Sequence, residues 1–183
     1  WNSTGLRGIC LEVMDTAMEG TPASGRLRQH WRSLIGFVLL TLTVELIASY
    51  FSVSSVESWY RTLEKPSFNP PDWVFGPVWA VLYFLMAVAA WLVYTEAPIA
   101  AVRPAMTWFG IQLALNLGWS LIFFGAHQIG WALVDIVALW LAIGATIAAF
   151  ARVNRTAAWL MAPYLAWASF ATVLNLRIWQ LNG

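Results

Sequence analysis

The sequence predicts an all-α membrane protein, a five-transmembrane-helix bundle, from three observations. The first is composition: 60% of the 183 residues are hydrophobic and only 10% are charged. The second is a mean hydropathy of +0.66 together with 13 tryptophans. Charge this sparse cannot cover the apolar surface of a water-soluble domain. The third is the spacing of the charges, which leaves apolar windows close to the roughly 20 helical residues that cross a ~30 Å hydrocarbon core.

Each span is bounded by charges or turn residues. Arg32 to Glu57 contains only Glu45, and Asp72 to Glu96 encloses no charge. Between Arg103 and Arg152 the only full charge is Asp135, and the GAHQIG segment from Gly125 to Gly130 supplies the turn that divides this window into two helices. Arg155 to Arg177 bounds the last. The expected spans are 34–52, 74–95, 105–124, 130–150 and 157–179, making residues 33–183 one helical domain. Residues 1–32 mix Gly, Ser, Thr, Pro and charges without an apolar run, and are expected to be a disordered tail. The chain opens on Trp1, so Met14 and Met18 are candidate natural starts.

Several classes of chemistry are excluded. The single Cys10 makes no internal disulfide or cysteine-ligated centre, and His30 and His127 are too few and too scattered for a metal site. Ten basic residues against nine acidic ones give a net charge of +1 with no basic stripe, which excludes nucleic acid as a partner. Glycine-rich phosphate loops are absent. Arg26, Arg28, Arg32, Arg103, Arg152 and Arg155 flank one side of the bilayer, against Arg61, Lys65 and Arg177 on the other. In a bacterial inner membrane this bias places the N-terminus in the cytoplasm. The expected location is a multi-pass position in a bacterial membrane that the sequence does not specify further.

The most specific stretch is WYRTLEKPSFNPPDWVFGPVWAVLYFLM, Trp59 to Met86. Lys65-Pro66 and Pro70-Pro71 stiffen the loop where it enters the second span. Trp59, Tyr60, Phe68, Trp73 and Phe75 give it an aromatic surface, as expected either of a lid or of an interfacial belt. In the second span, Trp79, Tyr83 and Met86 share one helical face. Asn116, Trp119, Ser120 and Phe123 do so in the third, and Trp167, Ala171 and Leu174 in the fifth. Aromatic walls with a few polar atoms suit a flat, mostly apolar ligand.

This ordered pattern resembles the signature of the TspO family, the tryptophan-rich sensory proteins related to the mitochondrial translocator or peripheral benzodiazepine receptor. QLALNLGWSLIFFG (Gln112 to Gly125), VDIVALW (Val134 to Trp140) and PYLAWASFATVLN (Pro163 to Asn175) resemble the family's later helices in order, over about residues 34–181. The resemblance implies a cavity between the helices, capped by the loop between helices 1 and 2. Its implied ligands are porphyrins such as protoporphyrin IX or haem-like tetrapyrroles, with sterols and isoquinoline or benzodiazepine compounds as further candidates. It places ligand contacts at Tyr60, Pro70, Trp79, Tyr83, Asn116, Trp119, Ser120, Asp135, Trp167, Ala171 and Leu174. No cofactor is required; porphyrin is the ligand. The Trp79 indole and the Asn116 amide are natural donors to a ligand oxygen, although an Asn within a bundle also serves to join neighbouring helices.

Asp135 and Glu45 are the carboxylates inside expected spans, and both should face the interior. Asp135 divides between a cavity role and structural hydrogen bonding; Glu45 matches no family motif. Gly110, Ala114 and Gly118 form a small ridge roughly opposite Gln112, Asn116 and Ser120. The resemblance implies a homodimer there, and packing within the same bundle is the alternative. The sterol-recognition pattern at the end of the last helix is incomplete, with Leu176 and Gln180 in place of its aromatic and basic residues.

The leading functional expectation is a membrane receptor or carrier of tetrapyrroles with a sensory or transport role. An enzymatic alternative is light- and oxygen-dependent porphyrin degradation, for which the resemblance implicates Trp79 and Trp167. No acid–base dyad, nucleophile or metal site argues for conventional catalysis. A third is a scaffold or channel-like protein, although no charged filter or broken inverted repeat is present.

Overall fold

The computed structural model describes the backbone from residue 22 and side chains from residue 30, through residue 183. Leu34–Gly183 forms one compact unit. Cys10 and the expected disorder of residues 1–21 lie outside the described residues. Within the expected tail, helix α1 (Pro22–Glu57) already begins at Pro22, whose fixed φ suits a first helical position. His30 leaves helical values, at φ −123° and ψ 18°.

A short helix α2 (Trp59–Thr62) and a 3-10 turn (Asp72–Val74) follow. The remaining helices are α3 (Phe75–Glu96), α4 (Ile99–Ser120), α5 (Ile129–Ala151) and α6 (Arg155–Asn182). Five segments are long and apolar enough to cross a membrane: His30–Glu57, Asp72–Glu96, Ile99–Gly125, Ile129–Ala151 and Arg155–Asn182. All five expected spans are therefore present, each longer than expected. The third, expected from residue 105 because Arg103 bounds its window, begins earlier, at Ile99. Pro104 lies inside α4, one turn from its start, where its missing N–H deprives a single carbonyl of its helical partner.

The core lies among α3, α4, α5 and α6, around Tyr83, Met86, Val93, Phe109, Ile136, Ile143, Phe150, Met161 and Tyr164. In lipid this packing is held by close contact and hydrogen bonds more than by exclusion of water. Ala87, Ala89 and Ala90 are fully buried and let neighbouring helices approach α3. The apolar windows of α3 and α1 differ: 44% of the former is buried inside the protein, but only 11% of the latter. Leu46 and Tyr50 of α1 turn outward to the lipid.

Polar side chains fasten the helix ends. Asn154 caps α6 by accepting from the Ala157 N–H at 3.0 Å. The expected turn between the third and fourth spans falls at 126–128, after a π-helical segment, Leu121–Gly125, and holds His127 at φ 56°. Ser55 of α1 donates to the Phe124 carbonyl at 2.7 Å and lies 2.8 Å from His127 Nε2. With its only proton so used, Ser55 Oγ accepts from His127, whose ring stacks on Trp59 at 4.2 Å.

Candidate functional site

A partly open cavity of about 370 Å³ lies between α1, α3, the α4 end with its π-helical extension, and α6. Helical spacing builds its aromatic side. Trp79 and Tyr83, one turn apart on α3, stand 5.6 Å between ring centroids. Trp119 stacks on Phe123 at 5.2 Å, while Trp167 of α6 meets Phe75 edge-on at 5.8 Å. Glu45, Ser49 and Ser52 of α1 line the cavity together with these rings.

The expected contacts divide cleanly. Tyr60, Trp79, Tyr83, Trp119, Ser120, Trp167, Ala171 and Leu174 line the cavity, whereas Pro70, Asn116 and Asp135 do not. Asn116 is buried behind the wall, accepting a hydrogen bond from the Tyr83 hydroxyl and donating to the Tyr164 hydroxyl at 3.0 Å. Its hydrogen-bonding groups are engaged within the protein, so the structure gives it the helix-joining arrangement. Met86, expected on the cavity face of its helix, is fully buried in the core beside Gln112.

Asp135 lies in a separate groove with Ile122, Ala126, Gln128, Trp131, Val134 and Ala138. Its Oδ2 is buried without a hydrogen-bond partner. A Cβ at position 118 would lie 3.1 Å from Asp135 Oδ1, so Gly118 provides the space that this carboxyl occupies. Gly110 has nothing within 4 Å of such a position, and Ala114 is exposed. The ridge thus divides, Gly118 packing inside the bundle and the other two residues facing outward.

Two indole groups remain available. Neither the Trp79 nor the Trp167 N–H has a hydrogen-bond partner among the described residues. Trp119 differs, donating to Asn175 Oδ1 at 2.9 Å, and Asn175 in turn donates to the Ile129 carbonyl at 3.0 Å. Sequence spacing identifies the Trp119 face but not this partner, which comes from another helix 56 residues away. Ser49, Ser52 and Asn175 also line the cavity, beyond the contacts expected from the sequence. Their spacing from Glu45 along α1 was the signal available for the serines.

The stretch joining α1 to α3 reaches the cavity through Tyr60 and Asp72. The buried Tyr60 donates to Asn69 Oδ1 at 2.8 Å, and Lys65 Nζ lies 4.7 Å from its ring centre. Burial, then the nearby Asp72 carboxylate, pushes the Tyr60 phenol up to about 12. Asn182 at the end of α6 clasps the same stretch, accepting from the Glu64 N–H and donating to the Glu64 carbonyl, each at 2.9 Å.

Five membrane-length helices, four of which line an aromatic-walled cavity, define an integral, multi-pass, ligand-binding membrane protein. The chain belongs to the TspO/MBR family, which it matches over residues 37–180, and is accordingly a membrane protein of the receptor or sensory kind. It is 47% identical over 144 residues to the tryptophan-rich protein TspO of Chlorobaculum tepidum, covering 78% of this chain and 91% of that one. With the translocator protein of Homo sapiens it shares 43% identity over 155 residues, covering 83% and 91% respectively. The tryptophan-rich sensory protein of Cereibacter sphaeroides is 40% identical over 126 residues, covering 69% and 78%.

Proposed function

We propose that the protein is a receptor or carrier for tetrapyrroles, porphyrins such as protoporphyrin IX or haem-like compounds, and couples their binding to a sensory or transport role. The observation that carries this reading is the convergence of Trp79, Trp119 and Trp167 on one cavity, with the Trp79 and Trp167 indole N–H groups uncommitted. Flat aromatic ligands stack on such walls, and the free donors can fix an oxygen or nitrogen at the ligand edge. The stretch from Tyr60 to Asp72 acts as the lid, held by the Asn182 clasp and the Tyr60–Asn69 bond. Isoquinoline and benzodiazepine compounds fit the same chemistry. Sterols fit less well, because Leu176 and Gln180 interrupt the helix-end motif. No cofactor is needed, and the tetrapyrrole is the ligand itself. The outward Gly110 and Ala114 are the contact of a homodimer.

The test is titration of the purified protein with protoporphyrin, in darkness and then under illumination, following tryptophan quenching and porphyrin absorbance beside Trp79→Phe. Saturable quenching in darkness without bleaching supports the receptor or carrier. Protein-dependent bleaching lost in the variant would replace it with photochemical degradation. Unchanged fluorescence across the micromolar range would reject porphyrin binding.

A further inference from the structure

The charged residues lining the cavity are Glu45, Glu57 and Asp72; no lysine, arginine or histidine lines it among the described residues. Glu57 and Asp72 stand at the loop end of the spans, whereas Glu45 lies twelve residues earlier on α1, about 18 Å along the helix at 1.5 Å per residue. Glu45 is half-buried, and its carboxyl has no hydrogen-bond or ion-pair partner among the described residues. A carboxyl at membrane depth is costly unless a cation or donor meets it. Tyr83, across the cavity, lies within its electrostatic range, but its hydroxyl proton is given to Asn116.

The cavity is therefore aromatic along α3, the end of α4 and α6, and carries one carboxyl away from its loop end, that of Glu45 on α1. We propose that this cavity selects aromatic ligands whose inner edge carries a cationic or N–H donor group, which the Glu45 carboxyl accepts, and disfavours ligands that bring a carboxylate inward. The inference rests on the cavity being the ligand site and names the charge class that the site takes. A tetrapyrrole would enter with its carboxylate edge toward the loop and solvent. Stacking against Trp79 and Trp167 is open to ligands of either charge sign, so the larger part of the discrimination falls on Glu45. Cation–π attraction to the same rings acts in the same direction.

Three probes that share one ring system isolate the effect: cationic proflavine, neutral acridine and an acridine carboxylate. Each is titrated against the full chain in nonionic detergent by tryptophan quenching, with empty micelles as blank and protoporphyrin in a parallel series. The expected order is proflavine, then acridine, then the carboxylate, with proflavine at least about tenfold tighter than the carboxylate. Glu45→Gln should bring the two charged probes within about threefold of each other, while Glu45→Asp should retain the preference. Circular dichroism confirms that both variants keep the helical fold. Equal binding of the charged probes, tighter binding of the carboxylate, or a preference that survives Glu45→Gln would each overturn the inference. If protoporphyrin binds and the acridines do not, charge selection fails and the cavity remains a ligand site. If neither binds, both readings fall.

Discussion

Tyr83 donates its hydroxyl to the Asn116 side-chain carbonyl oxygen, and Asn116 passes the chain on by donating to the Tyr164 hydroxyl at 3.0 Å. Three helices, α3, α4 and α6, are tied by this one amide immediately behind the cavity wall. All three residues are buried, with exposures of 2%, 1% and 1%. The amide therefore contributes to the shape of the cavity rather than to its lining.

Replacing Asn116 with Ala should lower stability, because two buried phenol groups lose their partner at a cost of about 1–3 kcal/mol each. Thermal or denaturant unfolding in detergent would read this loss. A variant as stable as the parent would show that the phenols find other partners.

Trp79→Phe and Trp167→Phe remove a free N–H while keeping an aromatic ring in the wall. Helical content and unfolding should change little. Affinity for a ligand whose oxygen meets either donor should fall by about tenfold, the worth of one good hydrogen bond. Dark titration of the two variants with protoporphyrin separates binding from fold.

Gly118 and Gly110, two turns apart on α4, should respond differently to substitution. Gly118→Leu must displace the Asp135 carboxyl and should destabilise the bundle by about 1–3 kcal/mol. At Gly110, which is exposed, a Cβ has nothing within 4 Å among the described residues, so Gly110→Leu should leave unfolding unchanged. If the outward ridge joins two copies, Gly110→Leu lowers the dimer fraction in light scattering; an unaltered dimer would remove that surface from the interface.

The Tyr60 phenol gives a stability change at alkaline pH. Its folded value is raised to about 12, above the ordinary phenol value of about 10. The stabilisation of the neutral form is complete below about 10 and is lost as the pH rises from there through the folded value. Unfolding measured across this window should weaken with pH, and Tyr60→Phe should flatten part of the slope. An identical slope in the variant would assign the loss to other groups.

The five spans could be read from the charges because a bilayer imposes length and apolarity on each helix separately. Arg103 shows the limit of that reading: a charge near a helix start does not end the helix, and Pro104 beside it costs only one bond, so the helix continues across the expected boundary. Trp79, Trp119 and Trp167 could be assigned to one cavity because each lies on a helical face shared with other aromatic or small residues. Asn116 and Asp135 could not be assigned in this way. A polar side chain has the same local sequence whether it meets a ligand, a neighbouring helix or a glycine notch.

The sequence by itself determined the class of protein, its spans and most of its aromatic cavity wall, because periodicity and hydrophobic length are properties of single helices. Only the tertiary structure decided that Asn116 joins Tyr83 to Tyr164, that Asp135 occupies the space beside Gly118, and that Glu45 faces the cavity unpartnered. Those outcomes depend on which faces of different helices meet, and a hydrogen bond or a steric notch exists only once both sides are in place.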